Sequence, residues 1–376
     1  MNDNITVFVG LDVHKESIAI AVAHLGRAEP RFVGTCGPEL RELLKALCAL
    51  GTPAETLIAY EAGPSGFALA RQLATHGWHC QVIAVSKTPR KPGERIKTDR
   101  RDALALARYL RSGDLSPVVV PDATDEAIRD LSRAREDAVR ARLKARQQLK
   151  AMLLRHGKPF PGKTSWGAAH ERYLARVAFD HPAQQIAFAE YRSTVLEAHE
   201  RVERITAALR EQIEHWRFGP VVRALMCFKG IDFIAAAIIV AELGDLRRFE
   251  HPRQLMAYLG LVPTENSTGP NRRQGGITKA GNSHARWLMI EAAKHYRLPP
   301  KVSKELSTRQ QGLSQAIKDC SWKAQTRLHK RSSALLARRK QHNKVTVAIA
   351  RELTGFVWCI FQLMAPKDQS MTSNPS

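Results

Sequence analysis

Residues 5–24, ITVFVGLDVHKESIAIAVAH, decide the fold. ITVFVGL at 5–11 is almost entirely apolar and reads as a buried strand, and SIAIAVAH at 17–24 reads as a second. A shorter third strand is expected near 31–35. The pattern then changes: 38–50 (PELRELLKALCAL) reads as a helix, 56–60 (TLIAY) as a strand, 64–76 (PSGFALARQLATH) as a helix and 79–85 (HCQVIAV) as a strand. Three strands followed by alternating helices and strands predict an α/β domain with a mixed sheet. Pro89, Pro92 and Gly93 make 87–97 a loop, and Thr98 is placed to cap a helix over 99–111.

Four acids stand out in this domain: Asp12, Glu61, Asp99 and Asp102. The first two fall at strand ends, where α/β sheets carry functional groups. The other two are three apart at a helix start and so share one face. Each has a dull explanation as a turn, cap or first-turn acid. Their joint placement on this strand order does not, because carboxylates beside a buried strand are costly unless a cation pairs with them. Hard divalent ions such as Mg²⁺ take oxygen ligands, and bound ion pairs of this type drive in-line displacement at phosphorus. His14 and Lys15 read as local polar residues.

The whole chain carries 58 Lys+Arg against 36 Asp+Glu, a net charge of +22, which favours a polyanionic partner and salt-dependent binding. With 44% hydrophobic residues it is a folded protein and not a basic tail. Six scattered cysteines without a C-x-x-C pair argue against zinc and disulfides. The longest apolar runs, Phe233–Ala241 and Phe356–Met364, are too short to cross a bilayer, and the N-terminus lacks the order of a signal peptide. A soluble cytoplasmic protein without membrane association is expected.

At 376 residues two or three domains are expected. After the α/β domain (1–122) come two long helical patterns. Residues 123–156 place Ile128, Leu131, Ala138, Ala145, Leu149 and Met152 at heptad-like spacing, and 183–216 do the same with Ile186, Val195, Val202, Leu209 and Ile213. Around a 157–182 connector they predict a helical hairpin or a dimerising coiled coil over 123–217. Arg129, Arg133, Arg140 and Lys144 line another stripe, either a solvated face or a contact for a nucleic-acid backbone.

A mainly helical region is expected over 218–365. Residues 221–246 read helix, turn, helix, and the turn at Lys229-Gly230 can offer N–H groups to a phosphate. The segment 263–282, PTENSTGPNRRQGGITKAGN, reads as a glycine-rich basic loop. Its glycines let the backbone approach a phosphate, and Arg272, Arg273 and Lys279 could bind the oxygens. Ser267 in the same loop could attack phosphorus and hold a DNA end covalently. A last helix at 346–364 precedes a polar tail, 366–376, expected to be disordered.

In order, GLDVHK, YEAGPSG, VSKTPRKPGERIKTDRRDALALARYLRSG, FKGID, LGDLRRFEHPRQLMAYLGLVPTENSTG and RRQGGITKAGNSHAR resemble the DEDD transposases of insertion sequences, over about residues 5–297. The resemblance implies a RuvC-like (RNase H fold) catalytic domain, a coiled coil and a serine-bearing transposase domain. It implies four metal-binding acids at Asp12, Glu61, Asp99 and Asp102 and Mg²⁺ as the cofactor. The nucleophilic serine of the family follows the Gly260-Leu261-x-Pro263 motif. Many relatives carry it directly before the glycine, where this chain has Thr268; Ser267 is the only serine in the motif. The resemblance further implies donor and target DNA, a structured bridge RNA as guide, and dimers that join into a tetramer. The alternative is a RuvC-like, metal-dependent junction nuclease in which water attacks.

Overall fold

The computed structural model describes residues 4–63, 65–85, 88–89, 98–266 and 273–364. They form two compact units, Met1–Asp122 and Ala123–Ser376. The expected fold class, a mixed α/β sheet followed by a mainly helical region, is the one observed. Most of the expected loop at 87–97 and the tail at 366–376 lie outside the described residues.

In the first unit β1 (Val7–Val13), β2 (Ile18–His24), β3 (Arg31–Cys36), β4 (Thr56–Glu61), β5 (His79–Ile83) and the short β6 (Pro117–Val118) make one sheet in the order β3-β2-β1-β4-β5-β6. β1 is central. It pairs antiparallel with β2 and parallel with β4, and β4 is parallel to β5. Period-two alternation splits its side chains between two cores. Val7, Val9 and Leu11 join Ile20, Ile58 and Tyr60 on one face, covered by α1 (Leu40–Cys48) and α2 (Ala68–Thr75). Phe8, Ala19, Ala21 and Ala59 are on the other face, covered by Ala103, Ala107 and Leu110 of α3 (Asp99–Ser112).

That second face is lined by small side chains, and Gly10 is its lowest point. A Cβ at Gly10 would lie 2.5 Å from the Ala107 nitrogen and still nearer the Ala103 carbonyl oxygen. The helix backbone therefore lies directly on the strand. Thr98 opens α3 by accepting from the Arg101 N–H at 3.4 Å, and Gly113, at φ 76°, closes it in the left-handed conformation that glycine adopts cheaply.

In the second unit α4 (Ala123–Arg155) and α6 (Pro182–His215) pack along one another. Ala138, Ala145 and Met152 recur every seven residues on α4, as Phe188, Val195, Val202 and Leu209 do on α6, and all are buried. This is the heptad spacing of a helical seam. One expected seam residue departs from it: Ile186 is 64% exposed, and the seam position is taken by Phe188. Trp216 and Arg217 both donate to Asp125 and tie the end of α6 to the start of α4.

The remaining helices are α7 (Gly219–Leu225), α8 (Phe233–Leu243), α9 (Pro252–Tyr258), α10 (Ser283–Ala293), α11 (Lys304–Arg309), α12 (Gln315–Ala337) and α13 (His342–Leu363); α5 (Ala168–Arg176) lies in the 157–182 connector. α8 is buried from Ala236 to Leu243 and forms the centre of this core. α13 is long and apolar enough to cross a membrane by length and composition, yet Val345, Ile349, Leu353, Val357, Ile360 and Phe361 pack into the same core. Within the segment expected to be loop, β7 (Pro263–Glu265) and β8 (Gln274–Ile277) pair as a hairpin.

Gly10→Ala should destabilise the first unit by about 1–3 kcal/mol, since a methyl there overpacks against main chain that cannot rotate away. Gly276→Ala, where nothing lies within 4 Å of the added carbon, should be nearly neutral. Differential scanning calorimetry of the two variants makes the comparison; an unshifted Gly10→Ala transition would contradict the close approach.

Candidate active site

β1 carries Asp12 on the α3 face, two positions beyond Gly10. Leu11 pairs with Tyr60 across the parallel strands, so the continued register sets Glu61 beside Asp12, and Glu61 is itself paired with Ile83. α3 begins over this end of the sheet with Asp99 and Asp102 in its first turn. The four acids thus come from two strand ends and one helix start, all on one face of one sheet. Asp99 and Asp102 also sit where the helix dipole favours negative charge.

The Asp12 side chain is 19% exposed. Burial raises its pKa above the ordinary 3.8; the His14 ring beside it works the other way, and the charges of Asp102 and Asp99 push it up again. His14, read from sequence as a local polar residue, stands between two of the four acids. Its Nε2 is 3.2 Å from Asp12 Oδ2 and 3.6 Å from Asp99 Oδ1. Ligand atoms of Asp12, His14 and Asp99 all lie within 4.8 Å of one another, the one such cluster of potential metal ligands among the described residues. The i, i+2 spacing of Asp12 and His14 was the available signal. Glu61 Oε1 accepts from the Thr88 hydroxyl at 2.8 Å, and the Tyr60 hydroxyl donates to the Gly66 carbonyl at 2.8 Å, bracing the turn that follows β4. A carboxylate-rich donor set whose central acid resists ionisation fits a hard divalent cation, while an added imidazole broadens the fit toward transition metals.

The second site is the β7–β8 hairpin. Ser267, Thr268 and Arg272 lie outside the described residues. The residues that hold their segment are described: Asn266 N donates to the Arg273 carbonyl at 2.9 Å, Thr278 N to Val262 O at 2.9 Å and Lys279 N to Gly260 O at 3.1 Å. Lys279 adopts φ 56°, uncommon for a side-chain-bearing residue. Arg286 Nη1 donates to the carbonyls of Leu259 (3.0 Å) and Ala280 (2.7 Å).

Below the hairpin is a buried carboxylate. Glu242 on α8 receives both Nε and Nη2 of Arg133, at 2.7 and 3.0 Å, and Nδ2 of Asn282 at 2.6 Å. Asn282 in turn caps α10 by accepting from Ala285 N at 2.9 Å. Burial alone would raise the pKa of Glu242, but the Arg133 bond and charge, with Asn282 and Arg129, hold it below 4.5. Arg133, Glu136, Asp137, Arg140, Asn282 and His284 surround Glu242 in a polar cleft of about 480 Å³.

This narrows the basic stripe expected on α4. Arg133 is committed to Glu242, Arg129 pairs with Glu126 at 3.8 Å, and Arg140 pairs with Glu136 and Asp137. Lys144 is exposed. Lys229 donates to the Pro299 carbonyl at 3.2 Å, so its ammonium already serves the fold.

Comparison with known proteins bears on both sites. A transposase family model of the DEDD type matches residues 9–157. A second, described as the IS116/IS110/IS902 transposase family, matches residues 222–305. The putative transposase y4qE of Sinorhizobium fredii is 46% identical over 355 residues, 94% of this chain and 88% of the relative. The transposase for insertion sequence element IS1533 of Leptospira borgpetersenii is 30% identical over 342 residues, 89% of this chain and 98% of the relative. Fold and relatives together define an enzyme that acts on DNA, with a catalytic domain of a type that uses divalent metal. The chain belongs to the IS116/IS110/IS902 family of insertion-sequence transposases.

Two outcomes follow from the electrostatics. Mn²⁺ affinity, measured by titration calorimetry, should fall as pH drops toward the raised pKa of Asp12, at higher pH than for an ordinary carboxylate, and Asp12→Asn should remove that dependence along with most of the affinity. For Glu242 the folded pKa is depressed, so its stabilising contribution is complete above the unfolded value of 4.5 and is lost as pH falls through the folded one. Glu242→Gln should cost about 1–3 kcal/mol at neutral pH and flatten the acid limb of the stability curve, read by thermal unfolding across that range.

Proposed function

We propose that this transposase is an RNA-guided DNA recombinase that cuts and rejoins strands through a covalent serine–DNA intermediate. The observation that carries the proposal is the cluster of Asp12, His14 and Asp99, with the charge of Asp102 acting on Asp12 and with Glu61 at the end of the neighbouring parallel strand. In this reading 1–122 is the RuvC-like catalytic domain, 123–217 the dimerising helical region and 218–365 the transposase domain.

The four acids would hold Mg²⁺, which would supply charge neutralisation and polarisation at the scissile phosphate. Asp12 is the anchor: its surroundings disfavour a bare carboxylate, so a cation relieves the repulsion from Asp99 and Asp102. Thr88 orients Glu61 by its hydrogen bond. The Ser267 oxygen, with Thr268 as the other hydroxyl in place, attacks phosphorus. One P–O bond to serine forms as one P–O bond within the DNA strand breaks; the serine proton passes to solvent or a neighbouring base, and the leaving oxygen takes up a proton and stays on the DNA as a strand-end hydroxyl. Because the phosphodiester energy is conserved in the adduct, rejoining requires no external cofactor. Arg272, Arg273 and Lys279 neutralise the phosphate, and Lys144 contributes backbone contact along α4.

The RNA guide and the assembly of dimers into a tetramer rest on the resemblance and on the net charge of +22. Nucleic acid copurified with the full-length protein and sized with and without ribonuclease tests the guide, and light scattering tests the assembly.

Asp12→Asn and Glu61→Gln should each lower strand cleavage by about three orders of magnitude, equivalent to the several kcal/mol of charge stabilisation that a metal supplies. Ser267→Ala should abolish the protein–DNA adduct on a denaturing gel. Cleavage surviving intact in Ser267→Ala and in the Thr268→Ala, Ser267→Ala double variant would replace the serine with water as nucleophile.

A further inference from the structure

The last two long helices bring together thiols that lie 39 residues apart in sequence, Cys320 on α12 and Cys359 on α13. A short turn, 338–341, joins the helices and makes them an antiparallel pair. Their register is fixed by charge. Arg327 Nε donates to Glu352 Oε2 at 2.9 Å, and Arg331 Nε lies 3.4 Å from the other carboxylate oxygen. Cys320 stands seven positions before Arg327, and Cys359 seven after Glu352. Two turns along each helix therefore lead from the Arg327–Glu352 level to the Cys320–Cys359 level on the same stripe. Both cysteines pack in the core that the two helices share. Axes of packed helices lie about 8–10 Å apart, with Cα atoms about 2.3 Å from each axis. Facing Cα atoms thus come to about 5 Å, within reach of a disulfide.

The two sulfurs are not equivalent. Cys359 is partly exposed, whereas Cys320 is buried. A hydrogen bond from the Cys320 thiol holds the Cys359 thiol below its ordinary 9, against the effect of burial, and the Lys323 ammonium acts in the same direction. The same bond, with burial, pushes the Cys320 thiol up. The thiolate is the nucleophile, so the sulfur that solvent can reach is also the one inclined to ionise. Cys227, the third sulfur of this core, is wholly buried, and burial pushes it up to about 12, which removes it from the chemistry. A reachable thiolate beside a second, resolving cysteine is the arrangement of redox-sensing sites.

We propose that Cys359 and Cys320 form a reversible modification site whose substrate is a hydroperoxide. The Cys359 sulfur attacks one peroxide oxygen and the O–O bond breaks. Cys359 becomes a sulfenic acid, and the other oxygen leaves as water with the thiol proton. The Cys320 sulfur then attacks the Cys359 sulfur, the S–O bond breaks, and a second water leaves with the Cys320 proton. Two thiols are oxidised to one disulfide while one hydrogen peroxide is reduced to two waters. A dithiol reductant restores the pair by exchange. The disulfide staples α12 to α13, which packs against α9 and α10, the helices that precede and follow the β7–β8 hairpin in sequence. The inference uses none of the four acids and not Ser267, and it is independent of the recombinase reading.

The test treats reduced, full-length protein with a small excess of hydrogen peroxide and maps its peptides without reduction by mass spectrometry. The expected product is a Cys320–Cys359 cross-link within a single chain, with both thiols recovered on dithiothreitol. Cys320→Ala should leave a sulfenic acid on Cys359 that dimedone traps. Cys359→Ala should slow oxidation of Cys320 about tenfold or more, because the remaining thiol is buried and protonated. Thermal unfolding of the oxidised wild type should rise by several degrees. A Cys227–Cys320 cross-link, a link between two chains, or oxidation of the exposed Cys48 with Cys359 untouched would overturn the pair. The wild-type map decides this even where a variant fails to fold. Strand cleavage is not the readout, so failure here leaves the transposase reading standing.

Discussion

Contact between the backbone of α3 and Gly10 is the constraint on which the first unit depends. Side chains on the intervening face of the sheet are small, with Ala19, Ala21 and Ala59 around Gly10. The helix consequently lies within main-chain distance of the central strand. A helix held that low begins over the end of β1, and its first-turn acids come near Asp12 and His14. A larger residue at position 10 would lift Asp99 and Asp102 away from Asp12 without altering any of the four acids. The chemistry at the sheet end is thus set by what is missing from the middle of the strand.

Two shielded carboxylates, one in each unit, illustrate how environment moves the pKa of an acid in opposite directions. Glu242 is buried but receives a bidentate guanidinium and an amide, and its pKa falls. Asp12 is less buried, yet it faces two further acids and has only the His14 ring in compensation, and its pKa rises. The first is satisfied by the protein. The second is satisfied only when something positive arrives, and perturbation by burial plus specific charges is the mark of a functional group. Glu242 shows what a carboxylate looks like when the fold itself completes it.

The α/β sheet was legible because buried strands and amphipathic helices differ in period, and because Asp12, Glu61, Asp99 and Asp102 fall where that pattern changes. The β7–β8 hairpin was not, since Pro263–Glu265 and Gln274–Ile277 lack the alternation of apolar and polar residues that marks strands. α12 was hidden for a related reason: its buried face mixes Ile317, Ala324 and Leu328 with Ser321, Gln325 and Ser332, so hydrophobic contrast is low. The basic stripe on α4 is a different case. Charge spacing marks a face, but only a partner such as Glu242, 109 residues away from Arg133, shows whether that face is free. His14 fell outside the acid pattern because its role arises from α3 folding back over β1, a contact spanning 85 residues of sequence between His14 and Asp99.

The second unit depends on α4 as a rigid spacer. Near its start Arg133 grips Glu242, and through Asn282 that bond reaches the foot of α10, which follows the β7–β8 hairpin in sequence. Near its end Lys150 borders the 157–182 connector. Lys150 stands seventeen positions after Arg133, about 26 Å at the helical rise. The seam with α6, Ala138 to Met152 against Phe188 to Leu209, keeps that span from bending. The connector beside Lys150 is therefore held away from the Glu242–Asn282 bond by a packed helix. Such a spacing requires a continuous packed helix; a flexible linker of equal length would allow many separations and select none.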